Sequence, residues 1–490
     1  MNGPASPGNA GPPPESSGDA SQPSVSRVES TKLMVDRAMG GDRHDRQLTT
    51  ALLAVMVALL ILIPLGSIAL VLIDDHSIRQ LEPAAPLAAL AWGSVFSALE
   101  VVPLVLIGLG PYPDGWAGAE RIEVTTAADG RPGSLREAIE QAAAGGSDTV
   151  IELKPNTTYR LTTGCTRRGV QPDDDAGGGV LELGEAGGLY LKGNGATVRQ
   201  ECAGQRVLHA TGDDRLHLSE VTLSGGQAKS SLGHGSGGAL LSEGGGTVTI
   251  EDSMLTSNQA EDSGGAVALT GPGSTLKLER SVISGNTAGA SGGGVWVIGN
   301  LDAINATITD NLAGTNGGAV ATAISLTFST VVDNSTATAR GARQLGAGEL
   351  TSFASYVAGG SGAPSSCSVE RATSDGYNVG DDSSCGFGPG LGDVANGPRN
   401  AVGLLDYYGR PIPARAPVPG SVLVDRVPSR ACLARTTVDG QRRSRRAAAA
   451  GAGAGCDVGA VELTDGLDVP LTAVAGPVAT PVPAEARYTG

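Results

Sequence analysis

Ser253-Met-Leu-Thr-Ser-Asn258 is the stretch that decides the fold, because the chain repeats it three times further on. The later copies are Ser281-Val-Ile-Ser-Gly-Asn286, Ala306-Thr-Ile-Thr-Asp-Asn311 and Ser329-Thr-Val-Val-Asp-Asn334. The asparagines that end the copies stand 28, 25 and 23 residues apart. A period of this length is typical of proteins that stack one structural unit on the next.

Each repeat contains two or three short segments with the pattern of a β-strand. Apolar and polar residues alternate at Val248 and Ile250, and again at Leu276 and Leu278, so each strand buries one face. The repeats are too short for propeller blades of about 40–45 residues and lack the leucine-rich-repeat signature. The sequence therefore predicts an all-β fold, a right-handed parallel β-helix solenoid in which one repeat makes one turn of a three-sided coil. The clear repeats cover only Val221–Asn334, roughly five turns.

Stacked turns place equivalent residues about 4.8 Å apart. We expect Asn258, Asn286, Asn311 and Asn334 to form a structural ladder inside one corner, each side-chain amide donating to the next carbonyl. A polar row that binds a ligand is the functional alternative. A double glycine precedes each following strand and is expected to turn the chain with positive φ, at Gly237–Gly238, Gly264–Gly265, Gly293–Gly294 and Gly317–Gly318.

The composition agrees with a thin, layered core and limits the function. Gly contributes 74 of 490 residues and aromatic residues only 3%, so the core must consist of many small aliphatic side chains. The formal net charge of −16 argues against nucleic acid as a partner, because sequence-independent binding needs a basic surface.

The N-terminal part predicts a membrane anchor. Residues 1–47 are rich in Pro, Gly and Ser and are expected to be a disordered tail. Residues 48–73 carry no charge over 26 residues, which is long enough for a transmembrane helix. Arg37, Arg43 and Arg46 precede this run, and this bias predicts a cytoplasmic N-terminus.

Residues 86–110 form a second apolar segment, and two interpretations stay open. Its length permits a second transmembrane helix, which would return the solenoid to the cytoplasm. Glu100 costs about 2.5–3.5 kcal/mol at the bilayer centre, which favours one span and an extracellular solenoid. Six cysteines in three sequence-local couples also favour an oxidising compartment. Unpaired thiols in a cytosolic chain are the alternative.

A helical cap is predicted ahead of the repeats. Ser134-Leu-Arg-Glu137 has the form of a capping box, with Ser134 as N-cap and Glu137 reaching back. Strands are expected at Ile122–Thr126 and Thr149–Leu153 on either side of the helix. Such a cap would cover the apolar face that the first turn of a solenoid exposes.

Motifs at both ends of the solenoid resemble a known family. Gly133-Ser-Leu-Arg-Glu-Ala-Ile139 resembles the CSLREA motif of secreted bacterial pectate-lyase-like β-helix proteins, with Gly133 in place of the cysteine. The chain also resembles the closing section of the choice-of-anchor Q type of β-helix domain. The matching motifs are Gly376-Tyr-Asn-Val379, Cys385-Gly-Phe387, Pro419-Gly-Ser421 with Asp425, and Cys456-Asp-Val-Gly-Ala-Val-Glu462.

The resemblance implies the division of the chain. It implies a β-helix over residues 122–362 and a region that closes it over residues 363–462. It also implies the disulfides Cys367–Cys385 and Cys432–Cys456, which leaves Cys165 with Cys202. The usual Asp-Gln-Arg-Gly stretch appears only as Asp439-Gly-Gln-Arg442. Residues 463–490 are rich in Pro and Ala and are expected to be a disordered tail.

No stretch of the sequence forms a convincing active site. Asp213, Asp214 and His234 resemble the Asp-Asp and Gly-His-Gly motifs of polygalacturonases, but the other motifs of those enzymes are missing. Spacings typical of metal sites are absent, and no cofactor is predicted. We therefore expect a membrane-anchored, non-catalytic surface protein in adhesion, envelope structure or carbohydrate binding. Its partners would be membrane lipid, a cell-wall or host polysaccharide, or a surface protein. The rival is a polysaccharide lyase or glycoside hydrolase.

Overall fold

The computed structural model describes residues 113–471, apart from 114, 117, 166–178, 185–186, 213–214, 231–234, 409, 443, 446–454, 465–466 and 468. Within that part of the chain, no helix is long and apolar enough to cross a membrane. The expected N-terminal tail, both apolar runs at 48–73 and 86–110, residues 472–490 of the expected C-terminal tail, and the candidate residues Asp213, Asp214 and His234 lie outside the described residues. Of that C-terminal tail the structure describes residues 463, 464, 467 and 469–471, where Val469 is buried and the carbonyl of Pro470 accepts the N–H of Leu404.

The fold is a solenoid of about nine turns, whose strands pair in parallel with their equivalents in neighbouring turns. Three stacks of strands form its sides. The first stack contains β1 (Glu120–Glu123), β2 (Thr149–Glu152), the first halves of β5 (Leu189–Gln200) and β7 (Leu216–Ser224), β10 (Thr247–Glu251), and the later parts of β13 (Val267–Glu279), β16 (Val295–Ile304), β19 (Ala319–Thr327), β22 (Leu345–Phe353) and β24 (Cys367–Gly376).

The other two stacks share several of these long strands. The second stack contains β3 (Thr158–Leu161), the later halves of β5 and β7, β11 (Met254–Thr256), β14 (Val282–Ser284), β17 (Thr307–Thr309), β20 (Thr330–Val332), β23 (Tyr356–Ala358) and β25 (Val379–Gly380). The third stack contains β4 (Leu181–Leu183), β6 (Leu208–Ala210), β9 (Leu240–Ser242) and the first parts of β13, β16, β19, β22 and β24.

A small parallel sheet lies after the second stack. Its two-residue strands are β8 (Gln227–Ala228), β12 (Gln259–Ala260), β15 (Thr287–Ala288), β18 (Leu312–Ala313) and β21 (Ser335–Thr336). The parallel solenoid expected from the repeats is confirmed. It extends beyond Val221–Asn334 in both directions, from Glu120 to Gly380.

Alternating apolar residues fill the interior. Ile250, Leu278 and Leu326 lie in one column of the first stack and are fully buried. Their polar neighbours point outwards, as the alternation predicts. A continuous aliphatic core follows the axis, and burial of such side chains stabilises each turn by about 1.5–3 kcal/mol per residue.

Helix α1 (Leu135–Gly145) covers the start of the solenoid. Ser134 is its N-cap and accepts a hydrogen bond from the backbone N–H of Glu137, which confirms the expected helix start. The Glu137 carboxylate reaches back as expected, and it accepts from the N–H of Gly133. The Ser134 N–H instead donates to the carbonyl of Arg131, because Gly133 (φ 78°) turns the chain just before the helix. The first strand, β1, begins two residues earlier than expected.

The region after the last turn does not simply close the end of the solenoid. Short 3-10 helices at Ser383–Cys385 and Gly390–Gly392 follow β25. The chain then returns along the outside of the second stack. It forms two antiparallel pairs, β26 (Val402–Asp406) with β27 (Ala414–Pro417) and β28 (Val427–Pro428) with β29 (Gly455–Cys456), and helix α2 (Ser429–Leu433).

Candidate functional site

The four asparagines that defined the repeats lie buried in one column. The Nδ2 atom of each donates to the Oδ1 atom of the next, at 3.0 Å from Asn258 to Asn286 and at 2.9 Å for the two steps from Asn286 to Asn334. Each Oδ1 also accepts the backbone N–H of the preceding asparagine. No side chain in this column is more than 2% exposed, so it offers no surface to a ligand.

Both ends of this ladder are closed by other residues. The N–H of Gly226 donates to Asn258 at 3.0 Å, so the glycine that replaces asparagine in the earlier turn still uses the ladder. At the far end Gln344 takes the place of a fifth asparagine. Its Oε1 accepts from Asn334 Nδ2 at 2.7 Å, and its Nε2 donates to the carbonyl of Gly359. The ladder is thus fully bonded within the protein.

A second polar column follows the corner between the first and second stacks. Ser253, Ser281, Ser329 and Ser355 are buried, and the hydroxyl of each accepts a backbone N–H from the preceding turn at 3.1–3.2 Å. Ala306 interrupts the column. The first residues of the repeat motif carried this signal, because serine stands there in three of its four copies.

The glycines act mainly through close approach, which corrects the expected double-glycine turn. Only the first glycine of Gly237–Gly238 and of Gly264–Gly265 has positive φ, and in the next turn the equivalent pair is Gly292–Gly293. A Cβ atom on Gly265 would lie 2.1 Å from the carbonyl oxygen of Gly293. Such positions need glycine because successive turns touch there.

The histidines that the structure describes are held in ion pairs. His209 is buried, with Nδ1 at 2.9 Å from Glu182 and Nε2 at 3.1 Å from Glu243. Burial works to lower the pKa of His209, but hydrogen bonds and charge from the two carboxylates outweigh it and raise that pKa. Since both ring nitrogens face carboxylates, neither is available to a substrate.

Charges on the first stack are paired in the same way. His217 lies 3.1 Å from Glu251, and the Arg280 guanidinium contacts both Glu251 and Asp252. Burial works to raise the pKa of Glu251, but His217 and Arg280 together hold it below its usual value. Among the described residues, no cluster of His, Cys, Asp or Glu has the arrangement of a metal site.

The outer side of the third stack carries the partly exposed Trp296. Its register neighbours on either side are Ala268 and Val320, and Ile298, two residues further along β16, is 44% exposed. Val295 and Val297 point inwards and are buried, so the alternation of the strand directs the indole outwards. The outer side here presents one large aromatic ring beside the partly exposed Val320, whereas Ala268 in the preceding turn is fully buried.

Compared with protein-family models, with curated proteins and with solved structures, the chain matches none of them. Its function must therefore be argued from this geometry.

Three disulfides are present. Two are the pairs that the resemblance implied, and the third joins the two cysteines that it left over. They are Cys165–Cys202, Cys367–Cys385 and Cys432–Cys456. The first ties the edge of the second stack near its start, the second closes the last turn, and the third lies in the returning C-terminal region.

Proposed function

We propose that this chain is a membrane-anchored surface protein whose solenoid binds an extended, uncharged carbohydrate polymer without cleaving it. The observation that carries the proposal is Trp296, which is partly exposed on the outer side of the third stack beside the partly exposed Val320. An indole ring on a flat sheet offers a large apolar area at little conformational cost, which suits stacking against the apolar side of a sugar ring.

The shape of the third stack supports a polymer as ligand. It contains eight strand segments in register, so its outer side is about 34 Å long at the usual strand spacing. Successive rungs repeat along the axis, as the units of a polymer do. None of these described strand segments contains Lys or Arg, and His209 of β6 is already held between Glu182 and Glu243. An anionic uronan would need more cations than this face provides.

The finer features of the proposal depend on the sequence. The apolar run at 48–73, and a possible second span at 86–110, support the anchor. The disulfides support an extracellular solenoid. The right-handed sense is supported by the strong preference of parallel strand crossovers for that hand. The opening and closing motifs support membership of the CSLREA and choice-of-anchor Q group.

The test is binding of the full-length protein, in detergent micelles, to an array of neutral and anionic polysaccharides, followed by an assay for new reducing ends. We expect binding to a neutral polymer with no product. Trp296→Ala should weaken that binding at least tenfold, about 1.4 kcal/mol. The control Thr351→Ala changes an exposed residue on the first stack and should bind normally.

Two results would refute the proposal. Release of product would make the chain a lyase or hydrolase. Equal binding by Trp296→Ala and the unchanged protein would place the ligand elsewhere.

A further inference from the structure

The outer side of the second stack differs between its two ends. Towards the end of the solenoid its outward residues are buried, as Thr309 and Val332 are. Near the start of the solenoid they are exposed, as Thr158, Arg160 and Arg199 are. The first strands of this stack therefore present their outward side chains to solvent.

Two arginines lie side by side on this exposed part. Arg160 of β3 and Arg199 of β5 are register neighbours, and we name them the arginine pair. Tyr159, Leu161 and Val198 point inwards and are buried, so strand alternation directs both guanidinium groups outwards. Their side chains are 58% and 57% exposed. Because adjacent strands are about 4.8 Å apart, two like charges face each other, an arrangement that is unfavourable without a shared anion.

One carboxylate of the protein lies between the two guanidinium groups. Oε1 of Glu201 accepts a hydrogen bond from Arg160. The same oxygen is 3.9 Å from Nε of Arg199, which is close enough for an ion pair but too far for a hydrogen bond. Among the described residues, the Arg199 guanidinium donates no hydrogen bond. The pair thus shares one anion, and most of its donors remain directed to solvent.

A row of hydroxyl groups lies beside the arginine pair. Thr158, Thr197 and Thr222 are register neighbours in the adjacent outward column, and Ser224 follows Arg199 in its own column. In the part of the chain that the structure describes, none of these four hydroxyls makes a hydrogen bond to protein. A hydroxyl both donates and accepts, so this row suits the hydroxyl groups of a sugar.

We propose that this part of the second stack binds a carbohydrate that carries a phosphate or sulfate ester. The ester group lies between Arg160 and Arg199, and the sugar lies against the row of hydroxyls. A guanidinium presents donors as a fork that matches the oxygens of such groups. A phosphate or sulfate monoester has three terminal oxygens, so it accepts from both forks at once, whereas a carboxylate has only two oxygens.

This site goes beyond the neutral-polymer site proposed above and does not depend on it. It lies on the second stack, whereas Trp296 lies on the third. The two sites also differ in charge, because the arginine pair with Glu201 carries two positive charges and one negative charge. In a chain whose net charge is −16, this local excess of positive charge favours an anionic ligand.

Glu201 acts as a competitor of the ligand. Its carboxylate accepts from Arg160 at the position where an ester oxygen would accept, so the ligand must displace it. Loss of the Glu201 charge should therefore strengthen binding. A carboxylate that only stabilised the fold would not have this effect.

The test is binding of the full-length protein, in uncharged detergent micelles, to dextrans that share one backbone. They are unmodified, carboxymethylated, sulfated or phosphorylated. We expect binding to the sulfated or the phosphorylated dextran, weakening as salt is added, and the tighter of these two identifies the ester. Arg160→Gln and Arg199→Gln should each weaken it at least about tenfold, as loss of a charge-assisted hydrogen bond does.

Three further variants sharpen the test. Glu201→Gln should bind about two- to fivefold more tightly, the range expected when an exposed ion pair is lost. The matched control Arg371→Gln removes an arginine of β24 that is 74% exposed and has Glu349 to itself, and it should bind like the unchanged protein. Trp296→Ala should also bind the ester dextran normally, so failure of this site is distinguishable from failure of the third-stack site.

Four results would overturn the proposal. Absence of binding to both ester dextrans would remove the site. Equal binding of the carboxymethylated dextran would show simple charge attraction. Unchanged binding by both arginine variants would place the anion elsewhere. A Glu201→Gln protein that binds no more tightly would remove Glu201 as a competitor and with it the position assigned to the ester.

Discussion

Removal of one asparagine from the middle of the ladder should destabilise the solenoid strongly. Asn311→Ala deletes four hydrogen bonds of 2.9–3.0 Å: Nδ2 to the Ile283 carbonyl, Nδ2 to Asn334, and two that Oδ1 accepts from Asn286. All lie in a column where Asn311 is 1% exposed, so water does not replace them. At about 1 kcal/mol for each net hydrogen bond, the loss is about 4 kcal/mol.

The assay is urea unfolding of the full-length protein, followed by far-ultraviolet circular dichroism. The matched control is Asn300→Ala, which removes an exposed asparagine from the outer side of β16 and should cost less than about 0.5 kcal/mol. Asn311→Asp should be as damaging as Asn311→Ala near neutral pH, because a carboxylate cannot donate to Asn334 or to the Ile283 carbonyl. Equal stability of the Asn311 and Asn300 variants would refute the structural role of the ladder.

Three further predictions concern other parts of the solenoid. Gly265→Ala should lower the free energy of unfolding, measured with urea, by more than about 2 kcal/mol, because its Cβ would meet a carbonyl oxygen. Gly388→Ala is the control, and it should leave the stability nearly unchanged because the space around Gly388 is open. Replacement of Cys432 and Cys456 together by Ala should lower the free energy of unfolding by about 2–4 kcal/mol. Hydrogen exchange should show the lost protection in residues 423–462, and an equal loss along the whole solenoid would contradict a local role. The raised pKa of His209 contributes stability below its ordinary value of 6.5, and this is lost as pH rises through the folded-state pKa. The pH dependence of unfolding should therefore weaken in His209→Gln, and an unchanged profile would contradict this.

The central turns were predictable because their constraints are local and repeated. Every turn from Asn258 to Asn334 needs an amide at the same corner, so the sequence shows asparagine at a nearly constant interval. The preceding turn has Gly226 in place of that amide, so its copy of the motif is degenerate. The predicted glycine pair Gly293–Gly294 was one residue too late, since the structure uses Gly292–Gly293. Three successive glycines at 292–294 do not show which pair meets the neighbouring turns.

The contacts of the returning C-terminal region could not be predicted from a repeat. Arg442 meets Asp252 across 190 residues of sequence, and nothing in the spacing of either residue indicates the other. The buried arginine Arg445 stands in a stretch with three other arginines, where a solvated charge run is the ordinary interpretation. The outward position of Trp296 could not be predicted either, because strand alternation gives its direction only once the register of β16 is known.

Hydrogen exchange with and without a bound polysaccharide tests most directly whether the outer side of the third stack binds a polymer. The comparison is between the free full-length protein and the protein saturated with whichever neutral polymer it binds. Added protection should be confined to the third-stack parts of β13, β16 and β19 and to the neighbouring part of β16 that carries Ile298. Protection confined instead to the first stack or to the returning C-terminal region, or no protection on β16, would contradict binding at the third stack.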